Sequence, residues 1–209
     1  MQEKNVIEYY IMCNKLKTLV RSGWKQWNVT AERVESVAEH IYGVQMLAIA
    51  MQSEFKYKVN IEKVIMMLAV HELEEILIGD LTPFDEAYNQ KQLLGHKAIV
   101  EVLNGLNCAE KIEDLILEFD EKKTKEAQFA NQCDKLEADI QCKIYDENNC
   151  VDLDALGNNN QTQSNDVKDL LKQNKTWSSV WIKYGQKHHN YDKNFMKISN
   201  YILKNRITK

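Results

Sequence analysis

The stretch Ser36-Val37-Ala38-Glu39-His40-Ile41-Tyr42-Gly43-Val44-Gln45-Met46-Leu47-Ala48-Ile49-Ala50-Met51 decides the fold class. Ser36 with Glu39 three residues on is a capping box, in which each side chain serves the other's backbone amide and a helix opens at Val37. Val37, His40, Ile41, Val44, Leu47, Ala48 and Met51 then recur at helical spacing and share one face. Working outward, the same period predicts a helix over 6–20, through Val6, Tyr9, Leu16 and Leu19. Asn60 can cap another that runs through Val64, Met67, Leu68, His71, Glu75 and Ile76 and stops at Gly79. Further helices are predicted over 87–104, 108–119, 125–147, 167–187 and 191–205. Residues 21–28 and 80–84, and the Asn- and Gln-rich stretch 148–166, read as loops.

Composition supports this. Gly is 7 and Pro 1 of 209 residues, where ordinary usage is about 7% and about 5%. A barrel or sandwich needs far more turn residues, so a compact all-α bundle is expected, with 1–209 as a single domain. The 27 basic and 31 acidic residues leave a formal net charge of −4, which argues against a nucleic-acid polymer or an anionic membrane as partner. A polar start predicts no signal peptide, and the longest apolar run, Val64 to Val70, is too short to span a bilayer. Five cysteines form no C-x-x-C pair and read as reduced thiols, hence a cytoplasmic location.

Two histidines fall on apolar helix stripes: His40 between Val37 and Val44, and His71 after Met67 and Leu68. A histidine so placed is more often a hydrogen-bonded core residue than a ligand. The acids around His71 change that balance. Glu72, Glu74, Glu75 and Asp80 follow it, and on one continuous helix His71 and Glu75 share a face. Inward acids beside an inward imidazole repel and are costly to desolvate unless a cation lies among them. Glu74 is expected to face water. Far along the chain, the stripe Ala127, Phe129, Ala130, Cys133, Glu137 passes through Asp134, another inward acid. Two imidazoles and two carboxylates suit Mn, Fe, Co, Ni, Mg or Zn without selecting among them.

The order His40, His71-Glu72, Asp134 resembles the H…HD…D pattern of HD-domain metal-dependent phosphohydrolases, and most nearly their 5′-deoxynucleotidase-like branch. The segments that carry the likeness are Arg21-Ser22-Gly23-Trp24, Glu35 to His40, His71 to Pro83, and Thr124 to Glu137, within about 15–147. The resemblance implies a helical bundle, often dimeric, with the helices over 167–205 packed on the metal-site core. It implies one divalent metal ion held by His40, His71, Glu72 and Asp134. It gives Glu75 and Asp80 to the reacting water and leaving group, Arg21 to the phosphate and Trp24 to the sugar. The implied substrate is a small phosphate ester, foremost a nucleoside 5′-monophosphate. Alternatives are phosphodiester or triphosphate cleavage, with His96 serving a second metal, and a non-catalytic metal- or nucleotide-binding module. The dyad here reads His71-Glu72 where the family has His-Asp, and Arg21 and Trp24 are two residues apart where bacterial nucleotidases have them adjacent.

Overall fold

Helices make up most of the described residues, joined by turns and loops, and several open at side-chain caps. The computed structural model describes residues 2–85, 90–157 and 159–209. Its helices are α1 (Gln2–Asn14), α2 (Ser22–Gln26), α3 (Val37–Phe55), α4 (Ile61–Val70), α5 (Glu75–Ile78), α6 (Lys91–Val102), α7 (Ala109–Glu121), α8 (Lys125–Glu147), α9 (Asn160–Gln163), α10 (Asn165–Gln173), α11 (Trp177–His188) and α12 (Lys193–Lys204). Among the described residues there is no strand, only an isolated antiparallel bridge between Val20 and Ser36. Contacts group the chain into two compact units, one comprising the residues up to Ser22 and Glu35–Asn131, the other Gly23–Val34 and Gln132–Lys209.

In the first unit α3 packs on α4, α4 on α7, and α6 on both α5 and α7. The Ser36 hydroxyl accepts from the Glu39 amide, and a Glu39 carboxylate oxygen accepts from the Ser36 amide at 2.9 Å, so the capping box forms and α3 opens at Val37. Val44, Ala48, Val64, Met67 and Leu68 are completely buried, each large aliphatic one worth roughly 1.5–3 kcal/mol of transfer out of water. Asn60 caps α4 as expected, its side chain accepting from Lys63 N at 3.1 Å. The first helix differs from expectation. It spans Gln2–Asn14, buries no residue, and gives way to a 3₁₀ turn at Lys15–Lys17. Its pattern puts Val6, Ile7, Tyr10 and Ile11 outward, at 56–60% exposure. Part of the predicted helix over 87–104 lies outside the described residues; the described helix begins at Lys91.

The second unit is organised by aromatic rings. Trp24 is 1% exposed and meets Tyr145 edge-on, Trp177 edge-on and Trp181 at a tilt, with ring centroids 5.4, 6.0 and 4.9 Å away. The stretch 21–28, expected as a loop, contains the short helix α2, because the Trp24 and Trp27 indoles have core to reach on this side. The stretch 148–166 is likewise not plain loop. Asn159 caps α9, and its amide also donates to the Gln26 carbonyl at 2.6 Å. On α8, Asp139 is fully buried and accepts from the Tyr191 hydroxyl at 2.9 Å. Near the end of α8, Glu147 accepts from the Ile207 and Thr208 amides, which fastens the C-terminal residues.

Candidate metal centre

The His71 region departs from the continuous helix that its period suggests. α4 ends at Val70, and the chain then tightens: Leu73 N donates to Val70 O, Glu75 N to Glu72 O and Ile76 N to Leu73 O. These are three-residue rather than four-residue steps. The reason is local and chemical. In a continuing helix the Leu68 carbonyl would serve the Glu72 amide, whereas here it accepts from His71 Nδ1 at 2.8 Å. A carbonyl can only accept, so Nδ1 carries a proton, and in the neutral ring the lone pair is then on Nε2. Imidazoles that bind metals are oriented in this way by a bond to their other nitrogen.

His71 Nε2 lies 3.5 Å from Glu72 Oε1, and the His40 Nε2 atom lies 4.0 Å from the same oxygen. His40 is completely buried, His71 nearly so, and their ring centroids are 5.7 Å apart. His40, His71 and Glu72 each offer a ligand atom within 4.8 Å of the others. Two imidazole nitrogens and one carboxylate oxygen, closed off from bulk water, suit a borderline divalent cation. The first unit therefore brings together three of the four expected ligands. Asp134, the fourth, belongs to the second unit. It is 4% exposed on α8, and its Oδ2 lies 2.9 Å from Lys135 Nζ.

Arg21 is placed by backbone. Its amide donates to the Glu35 carbonyl at 3.1 Å, and Val37 N donates to Leu19 O at 2.8 Å. This tie holds Arg21 beside the start of α3, one turn from His40. Its Nη1 lies 3.5 Å from Glu72 Oε1. Asp80 is pinned to the residue after Arg21: the Ser22 amide donates to Asp80 Oδ2, and the Ser22 hydroxyl to the Asp80 carbonyl at 2.7 Å. Trp24, expected beside a sugar, is enclosed by the three aromatic rings described above.

Glu75 is 1% exposed. Burial pushes its carboxyl well above the usual range, and the Glu72 and Asp80 charges push the same way. Glu74 does not face water as expected. Its side chain is only 12% exposed, because α6 packs close against it where Gly95 leaves room. Burial and the neighbouring Glu72 raise its carboxyl to about 8. A cation missed by the sequence reading sits among these acids. Lys91 Nζ lies 3.1 Å from Glu75 Oε1, 3.9 Å from Glu74 Oε1 and 4.0 Å from Glu72 Oε2. Burial alone would lower the Lys91 ammonium, but the three carboxylates outweigh it and hold the ammonium above its ordinary value. The only available signal was weak: a lysine opening a helix soon after an acid-rich turn. His96, further along α6, is exposed.

Residues 13–181 match the HD domain family. A 5′-deoxynucleotidase of Dictyostelium discoideum is 35% identical over 151 residues, covering 68% of this chain and 78% of that protein. A 5′-deoxynucleotidase of Xenopus laevis is 31% identical, covering 69% and 71%. Among solved structures, a protein of Pyrococcus horikoshii superposes with a TM-score of 0.68 at 21% identity, over 95% of this chain and 98% of that one. A predicted metal-dependent phosphohydrolase of Magnetospirillum magnetotacticum superposes with a TM-score of 0.66 at 21% identity, over 97% and 91%.

Proposed function

Because the chain belongs to the HD-domain family, we propose that it is a metal-dependent phosphohydrolase that cleaves small nucleotides, foremost nucleoside 5′-monophosphates. His40, His71, Glu72 and Asp134 would hold one divalent ion. The observation that carries this reading is the His71 turn, where the Leu68 carbonyl fixes the tautomer and presents Nε2 to Glu72 beside a buried His40. The burial of Asp134 on α8 supports it as the fourth ligand. Similarity to 5′-deoxynucleotidases over about two thirds of the chain supports the substrate class.

When bound, the metal supplies Lewis acidity and a water of lowered pKa. The remaining work falls to side chains. Arg21, drawn toward the centre by Glu72, would neutralise the phosphoryl oxygens. Glu75, buried and held by Lys91, would orient the attacking water and pass its proton to the leaving alkoxide. Asp80 would fix the water or a substrate hydroxyl from its place against Ser22. The enclosure of Trp24 supports an anchoring part for the 23–34 segment more than direct stacking on a sugar.

We further propose a single HD-type domain over 1–209, working as a homodimer in the cytoplasm. The unbroken 23-residue α8, which contributes to both units, supports the first. Exposed Val6, Ile7, Tyr10 and Ile11 support the second, and five free cysteines the third. The decisive experiment is metal analysis of the purified protein with a screen of nucleoside mono-, di- and triphosphates. Turnover of monophosphates at one bound ion is expected, and His71→Ala should abolish both. Unchanged metal content in His71→Ala would refute the site.

A further inference from the structure

Glu72 faces two cationic positions with its two oxygens. Oε1 looks toward His40 Nε2, His71 Nε2 and Arg21. Oε2 looks the other way, toward Lys91 Nζ at 4.0 Å. A carboxylate shared in this manner between two positive centres is what two-metal sites use to bridge their ions. Here the second position is filled by an ammonium. Lys91 Nζ donates to Glu75 Oε1 at 3.1 Å and lies 3.9 Å from Glu74 Oε1, so three carboxylates surround one amine. Its side chain is 24% exposed while those acids are only 1–12% exposed. Lys91 thus enters from the rim with its charged end inward. The imidazole that could have served a second metal, His96, points to solvent on the same helix.

We infer that the ammonium of Lys91 stands in for a second metal ion, so that the centre takes one divalent cation and the chain itself offsets part of the negative charge that Glu72, Glu74 and Glu75 place there. The inference rests on the metal site proposed above. A lysine is a compact point charge with three donors on a flexible stem, suited to replacing a cation among monodentate oxygens. It differs from a metal in two ways that matter here. It cannot dissociate, and it offers no exchangeable water, so it leaves a single position at which water is activated. Lys91 is on this account a positioning residue for Glu75 and the determinant of metal stoichiometry.

The test reads bound metal without substrate. The parent, Lys91→Ala and Lys91→Arg are each dialysed against Mn(II), and ions per chain are counted alongside the electron paramagnetic resonance of the bound metal. The parent and Lys91→Arg should hold one isolated Mn(II). Lys91→Ala should take a second ion into the vacated acids, giving two per chain and the signature of a spin-coupled pair. Two ions in the parent would overturn the inference, as would one ion in a folded Lys91→Ala up to millimolar Mn(II). Should Lys91→Ala fail to fold, Lys91→Gln carries the same expectation and the same refutation. A parent that holds one ion but hydrolyses no nucleotide defeats the proposed function and leaves this inference standing. A parent that holds none defeats both.

Discussion

Glu72→Gln is the sharpest perturbation of the centre, because it removes one charge and almost no volume. In the protein Glu72 Oε1 lies 3.5 Å from both Arg21 and His71 and 4.0 Å from His40, and Oε2 lies 4.0 Å from Lys91. Two effects then add. A bound ion loses an anionic ligand, and Arg21 and Lys91 lose the charge that screened them from that ion. A unit charge pair at about 4 Å contributes ~4 kcal/mol at an effective dielectric near 20. Glu72 is already buried in the folded chain, so the cost of desolvating its carboxylate is met on folding and is common to the free and bound states. A loss of up to about 4 kcal/mol is expected, equivalent to as much as a roughly 10³-fold higher dissociation constant. Titration calorimetry with Mn(II) on the parent, Glu72→Gln and Glu72→Asp measures it. Glu72→Asp restores the family's carboxylate and should keep affinity within about tenfold of the parent. A Glu72→Gln protein that binds Mn(II) as the parent does would show that Glu72 is no ligand and leave the centre with three.

Other residues carry separable expectations. Glu75→Ala should keep the metal and lose turnover by about 10²-fold or more, as for a group that handles the proton; metal loss would instead make Glu75 a ligand. Trp24→Ala should cost about 3–5 kcal/mol in denaturant melts, since a large buried ring is removed. Trp24→Phe should leave KM for a nucleoside monophosphate unchanged, and a raised KM with an unaltered melt would return Trp24 to the sugar. Burial pushes the Asp139 carboxyl well above its usual range. An acid raised on folding adds stability that is complete below its unfolded value, near pH 3.9, and is lost as pH rises through the folded value. Asp139→Asn cannot ionise, so its Tm should match the parent at pH 4 and fall less toward alkaline pH; parallel Tm curves would refute the assignment.

The parts of this protein governed by local rules were legible in its sequence. The capping box at Ser36 and the cap at Asn60 set the starts of α3 and α4, because both depend on a side chain reaching an amide three residues away. His40 and His71 stood out because polar residues on an apolar stripe demand an explanation, and Glu72 because it directly follows His71; the structure brings all three within 4.8 Å of one another. What was missed depends on hydrogen bonds that period cannot see. The turn at 71–74 has the side-chain spacing of a helix, and only the capture of the Leu68 carbonyl by an imidazole distinguishes it. Glu74 was assigned to water because nothing local shows that α6 returns against it. Lys91 lies 16 residues from Glu75 along the chain, and a lysine at a helix start reads as solvated until its partners are known. The helix at 22–26 was hidden for the same reason, since its tryptophans find their ring partners more than a hundred residues later.

The tie between Ser22 and Asp80 has a consequence for how a bound ion acts on stability. It joins residues 58 positions apart, and Arg21 and the His71 turn sit at its two ends. Closing a loop of that length costs chain entropy that other packing in the folded protein must offset. An ion that needs the folded ligand set binds the folded chain alone. Such an ion adds stability by mass action, about 2.7 kcal/mol at a hundredfold excess over its dissociation constant. Chelation should then speed amide exchange through α4 and α5 before any helix is lost, so that the proposed ion would couple the stability of these helices to the supply of divalent metal.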